Sequence, residues 1–101
     1  MTEDNTRTLG LIQQTCGDDP AKNLESALRA IIEAAKRGAQ IICLQELFRS
    51  RYFCQTEDAD WFALAESVPG PTTDTLCKLA GGLGVVLIAP LFEKRAEGIY
   101  H

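Results

Sequence analysis

Glu46 stands where chemistry is possible. It follows the apolar residues Ile41, Ile42, Cys43 and Leu44 and then Gln45, and Leu47 and Phe48 close in behind it. Such a run reads as a short strand covered on both faces. In parallel α/β sheets, binding and catalytic groups gather beyond the carboxyl ends of the strands, and Glu46 falls at such an end. A carboxylate packed among Leu44, Leu47 and Phe48 would have its pKa raised by desolvation, as a general base requires. The same position also suits an N-cap or a surface glutamate at a strand–helix junction. Position alone leaves both readings open.

Other chemistry-bearing residues are sparse. Cysteines stand at 16, 43, 54 and 77, with no CxxC pair, and the single histidine is His101. This spacing gives no metal site, and no cofactor is expected. Without a secretory signal, free thiols are favoured over disulfides. Cys43 reads as a small buried hydrophobe, while Cys16 and Cys54 border polar loops and are expected to be more exposed. None lies beside a histidine, so local sequence nominates no nucleophile. Glu57, Asp58 and Asp60 form an acidic patch that suits either a cationic amine or a solvated face.

Composition narrows the class further. With 46% hydrophobic and 24% charged residues, the 101-residue chain is an ordinary globular sequence with room for one small core. Its formal charge of −4 argues against non-specific binding to nucleic acid or anionic membranes. Residues 85–92, the longest apolar stretch, are too few to span a bilayer. The first eight residues, MTEDNTRT, are polar and carry no signal peptide, so a cytoplasmic protein is expected.

The elements that position Glu46 follow from periodicity. Residues 8–14, TLGLIQQ, read as a first strand. Asp19 and Pro20 predict an N-cap and first helical position. Leu24, Ala27, Leu28, Ile31, Ile32 and Ala35 then form one apolar stripe, with Glu25–Arg29 and Glu33–Arg37 pairs on the polar side. Gly38 is the expected stop, and residues 40–44 the second strand, giving a parallel βαβ unit. "WFALAE" at 61–66 predicts a short helix in which Trp61 and Phe62 pack. "VPGPTT" leads into a second long helix weakened by Gly81 and Gly82. Residues 85–89 predict a third strand, and "GIYH" at 98–101 begins another and stops without a turn or cap.

These segments carry a resemblance. "GAQIICLQELF", "SRYFCQ", "WFALAESVPGPTTDTLCKLAGGLGVVLIAPLFEKR" and "GIYH" occur in an order that resembles the carbon–nitrogen hydrolase (nitrilase) family. The likeness extends from the first strand to His101 and is nearest to members that convert N-carbamoylputrescine to putrescine, ammonia and carbon dioxide. It implies that Glu46 is the general base of a Glu-Lys-Cys triad. A cysteine thiolate attacks the carbamoyl carbon and expels ammonia, and water then releases the rest. The glutamate carries the proton, and a lysine and backbone amides hold the oxyanion. It also implies that Tyr52 borders the substrate pocket, although Tyr52 and Phe53 could equally anchor their loop on the core. The implied partners are a small amide or ureido substrate and further copies of the chain, as a homo-oligomer.

The fold implied is α/β, the amino-terminal part of a four-layer α-β-β-α sandwich. Residues 1–101 would form about the first third of one domain, cut just after the start of a strand. The triad's lysine and cysteine segments have no counterpart here. Lys94 lies in a piece the family uses structurally, and neither Cys43 nor Cys54 matches the nucleophile's motif. The chain alone is expected to be inactive, with one sheet face and edge open. Gln45 stands where family members usually have proline. Two alternatives remain: hydrolysis of another ureido or linear amide substrate, and a non-catalytic truncated product that binds a partner through its open sheet.

Overall fold

The computed structural model describes residues 5–51 and 59–101. Helix α1 (Pro20–Lys36) begins where the sequence predicts: the Asp19 carboxylate accepts from the Ala21 N–H at 2.9 Å and Pro20 takes the first turn. Its exposed Glu25–Arg29 and Glu33–Arg37 pairs close at 3.4 and 3.0 Å. Solvent screening limits such pairs to a few tenths of a kcal/mol, so packing of the apolar stripe decides where the helix sits. Gly38 follows with φ of 95°, a conformation open to glycine at little cost.

Strands β1 (Leu9–Leu11), β2 (Ile41–Cys43) and β3 (Val86–Ile88) form a parallel sheet in the order β1-β2-β3. Each is shorter than the apolar run that predicts it. The registers Leu9–Ile41–Val86 and Leu11–Cys43–Ile88 put these six side chains on one face. Gly10, Ile42 and Leu87 point to the other. Both crossovers step the same way across the sheet. A shared hand of crossover therefore places α1 and helix α2 (Pro71–Leu83) on the same face. Helix α2 runs through Gly81 and Gly82 and ends at Gly84 in the left-handed conformation.

The core lies between helices and sheet: Ala27 and Ile31 of α1, Leu76 of α2, Ile42 of β2, and Leu44 and Phe48 beyond it. The opposite face is open. Leu11 is 80% exposed, Leu9 62% and Val86 57%, as the resemblance implies. Cys43 is only half-buried because it shares this face, which corrects its reading as a core residue.

A short 3-10 helix (Ala59–Leu64) leads to a cis Val68–Pro69 bond before α2. Beyond β3, strands β4 (Lys94–Ala96) and β5 (Ile99–Tyr100) pair antiparallel about Gly98, whose φ is 76°. The segment expected to stop without a turn is thus the return strand of a hairpin. Phe62 is about half exposed and packs through its ring, stacking on Tyr100 with centroids 4.5 Å apart.

Gly10 packs against Ala34 of α1 and Ala39 just beyond it. A Cβ there would come within 3.1 Å of Ala39 Cβ and 3.2 Å of Ala34 Cβ, neither of which can swing aside. Gly10→Ala is expected to lower stability by about 1–2 kcal/mol through overpacking. An unchanged urea midpoint would show that the strand can lift off the helix freely.

Candidate active site

Beyond Cys43 the second strand leaves the sheet. Its last ladder bonds are Ile12 N–H to the Cys43 carbonyl at 3.0 Å and Leu44 N–H to the Ile88 carbonyl at 2.9 Å. The chain then turns through residues 46–49, closed by a 3.1 Å bond from Ser50 N–H to the Leu47 carbonyl. Leu47 has φ of 56°, the left-handed conformation, directly after Glu46. For a residue with a branched side chain this costs about 1–2 kcal/mol and persists only where the surroundings impose it.

Leu44 and Phe48 are buried, Phe48 to 1% exposure, whereas Glu46 is exposed. This corrects the expectation that these neighbours wrap the carboxylate in an apolar setting. They point into the core and anchor the turn, and Glu46, between them in sequence, faces outward at the sheet's carboxyl edge. Among the described residues, Glu46 is a solvent-facing carboxylate rather than a buried one.

What holds the turn is a set of side-chain amides that sequence reasoning missed. Asn23, in the first turn of α1 and only 5% exposed, accepts from Gly17 N–H at 2.9 Å. Its Nδ2 donates to the Gly17 carbonyl at 2.9 Å and the Arg49 carbonyl at 2.8 Å. Gln14, just past β1, donates from Nε2 to the Asn23 carbonyl at 3.1 Å and the Phe48 carbonyl at 3.2 Å. The Cys16 thiol also donates to Phe48's carbonyl at 3.1 Å, so Cys16 is half-buried and engaged rather than loop-exposed. A signal for Asn23 was available: it lies four residues before Ala27 and eight before Ile31, on the buried stripe.

The side chain of Arg49 makes a second anchor. Its guanidinium meets Glu66 at 2.9 Å and the buried Thr72 hydroxyl at 2.5 Å, tying the turn to the start of α2. Glu66 in turn bridges to β4 through the bonds Glu66 N–H to Phe92 carbonyl and Lys94 N–H to Glu66 carbonyl. A cleft of about 290 Å³ opens beside these groups, with Leu47, Arg49, Ser50, Glu66 and Phe92 in its walls. The residues after Glu46, rather than Glu46 itself, line it.

Of the other candidates, Tyr52, Phe53, Cys54, Glu57 and Asp58 lie outside the described residues, as does the side chain of Asp60. Lys94 is occupied in the hairpin. Its hydrogen bond to Glu97 at 2.8 Å, with their mutual attraction, raises the ammonium pKa and lowers that of the carboxyl at the surface. Among the described residues, Cys16, Cys43 and Cys77 are free thiols, and no cluster of His, Cys, Asp and Glu could hold a metal. No helix among them is long and apolar enough to cross a membrane.

A glutamate at the carboxyl end of a parallel strand, held on a backbone that must be forced into shape, has the setting of a catalytic group. Comparison with known proteins identifies the family. The sequence model of the carbon–nitrogen hydrolases matches residues 8–101, and the chain belongs to this family. It is 38% identical over 95 residues to N-carbamoylputrescine amidase of Solanum lycopersicum, covering 93% of this chain and 32% of that protein. It is 34% identical over 94 residues to citrullinase of Francisella tularensis, covering 92% and 33%. Among solved structures, a carbon–nitrogen hydrolase from Helicobacter pylori G27 superposes with a TM-score of 0.85 at 35% identity, over 94% of this chain and 33% of that one. The chain thus spans about a third of the length of the relatives it matches, and its α/β architecture is that of the family.

Asn23→Ala would leave the Gly17 N–H and the Gly17 and Arg49 carbonyls without their buried partner. The expected loss is about 2–3 kcal/mol, because unpaired buried groups each carry a desolvation penalty. A urea midpoint close to that of the unaltered protein would show that the amide is dispensable to the fold.

Proposed function

We propose that these residues form the base-bearing part of a longer carbon–nitrogen hydrolase, with Glu46 as the general base. The observation that carries this reading is the placement of Glu46 at the carboxyl end of β2, followed at once by left-handed Leu47, within the family match. In the proposed reaction a thiolate attacks the carbon of a ureido or amide group. Glu46 accepts the thiol proton and delivers it to the departing nitrogen, so ammonia leaves and a thioester to the enzyme remains. Water, deprotonated by the same carboxylate, then cleaves the thioester.

The cysteine, and a lysine that with backbone amides receives the oxyanion, would come from polypeptide beyond these residues. So would the surface that removes Glu46 from solvent and the second sheet that covers Leu9, Leu11, Val86 and Ile88. Tyr52, close after the turn in sequence, is proposed to contact the substrate. N-carbamoylputrescine is the substrate proposed first. Citrulline and other compounds with a terminal ureido or linear amide group come next, since hydrolysis engages only that shared end. The proposed enzyme is a cytoplasmic homo-oligomer. The exposed apolar face favours a second reading, a non-catalytic chain that docks on a partner.

Glu46→Gln in the full-length protein removes the base with little change of shape. Ammonia release from N-carbamoylputrescine is expected to fall by about 10³-fold, within the usual range for loss of a positioned base. The isolated 101-residue chain is expected to release none. Full activity in the Glu46→Gln variant would remove Glu46 from the reaction, and a full-length protein inactive on every ureido and amide substrate would favour the docking reading.

A further inference from the structure

We propose that Gln14 and Gln45 are positioning residues for Glu46, a role that rests on the reading of Glu46 as the base. In a parallel ladder, one strand's N–H groups alternate residue by residue between facing the neighbouring strand and facing away. After Ile12 N–H has bonded the Cys43 carbonyl, the next donor of β1 on that side is Gln14 N–H, and its regular acceptor would be the carbonyl of residue 45. By that point the second strand has turned away. The Gln45 side chain takes the vacant place, and its Oε1 accepts from Gln14 N–H at 2.6 Å. Its Nε2 points to the Cys16 sulfur at 3.6 Å.

Glu46 is therefore gripped from both sides by one residue. Before it, the Gln45 side chain is tied to the main chain of Gln14. After it, the Phe48 carbonyl is tied to the Gln14 side chain, with the Cys16 thiol as a second donor. The segment between the two ties holds only Glu46 and left-handed Leu47. Releasing either tie lets Leu47 relax toward an ordinary φ, and rotation there swings the carboxylate away from its direction. Side-chain length explains the residue type at 45: an acceptor must reach back across a strand spacing, which glutamine does.

The test uses Gln45→Met and Gln14→Met in the full-length hydrolase, changes that remove hydrogen bonding at similar volume. Each is expected to lower kcat by about 10- to 100-fold with KM within threefold, the signature of a misdirected catalytic group. Because both act through one turn, the double variant should lose no more than about threefold beyond the worse single variant. Should Gln14→Met fail to fold, Gln45→Met and its kcat–KM split decide alone. The proposal is overturned if kcat stays within twofold in a protein that Glu46→Gln inactivates, if KM rises while kcat holds, or if the losses multiply in the double variant. If Glu46→Gln is itself active, the base assignment fails and the positioning role falls with it, a result distinct from the others.

Discussion

The second strand has to do two incompatible things within a few residues. It must hold its place in a parallel sheet through Cys43, and then leave the sheet so that Glu46 stands free at the edge. A backbone that departs abandons its ladder partners, and here a side chain completes the ladder. The bond from Gln14 N–H to Gln45 Oε1 extends the sheet's bonding past the point where the main chain has gone. The position of β1 and the direction of the turn meet at that bond.

Magnitudes show why one bond is not enough. Left-handed Leu47 costs about 1–2 kcal/mol, and a single hydrogen bond contributes about 1 kcal/mol net. The turn is secured by several: Gln14 and Cys16 to the Phe48 carbonyl, and Asn23 to the Arg49 carbonyl. Phe48 and Leu44 add apolar anchorage, and the Arg49–Glu66–Thr72 group binds the far side. Together these outweigh the strain. They come from the residues just past β1, from α1, and from the start of α2 with the segment before it, so the turn is well determined even though Glu46 makes none of these contacts.

How far the sequence discloses this depends on the range of each interaction. Helix α1 was legible almost to the residue, because its cap, first-turn proline and apolar stripe are all local. The three strands were legible as apolar runs but not in extent, since a strand ends where its neighbour stops pairing. The return strand β5 is legible in "GIYH", but β4 is not, because Lys94, Arg95 and Ala96 show no apolar alternation and only Gly98 marks the turn. The setting of Glu46 was misread for a related reason. Apolar neighbours in sequence are not apolar neighbours in space, and here Leu44 and Phe48 turn inward while Glu46 turns out. In the sequence Gln45 stands out only as a departure from proline, since its contact with Gln14 becomes visible once the β1–β2 register is known.

The most direct measurement is residue-resolved amide hydrogen exchange by NMR. Gln14 lies outside the regular strand, yet its N–H is predicted to exchange as slowly as that of Ile12, and Gln45→Met should release it to the rate of an open loop. Rapid exchange at Gln14 in the unaltered protein, or protection that survives Gln45→Met, would contradict the claim that this side chain completes the sheet and holds the Glu46 turn.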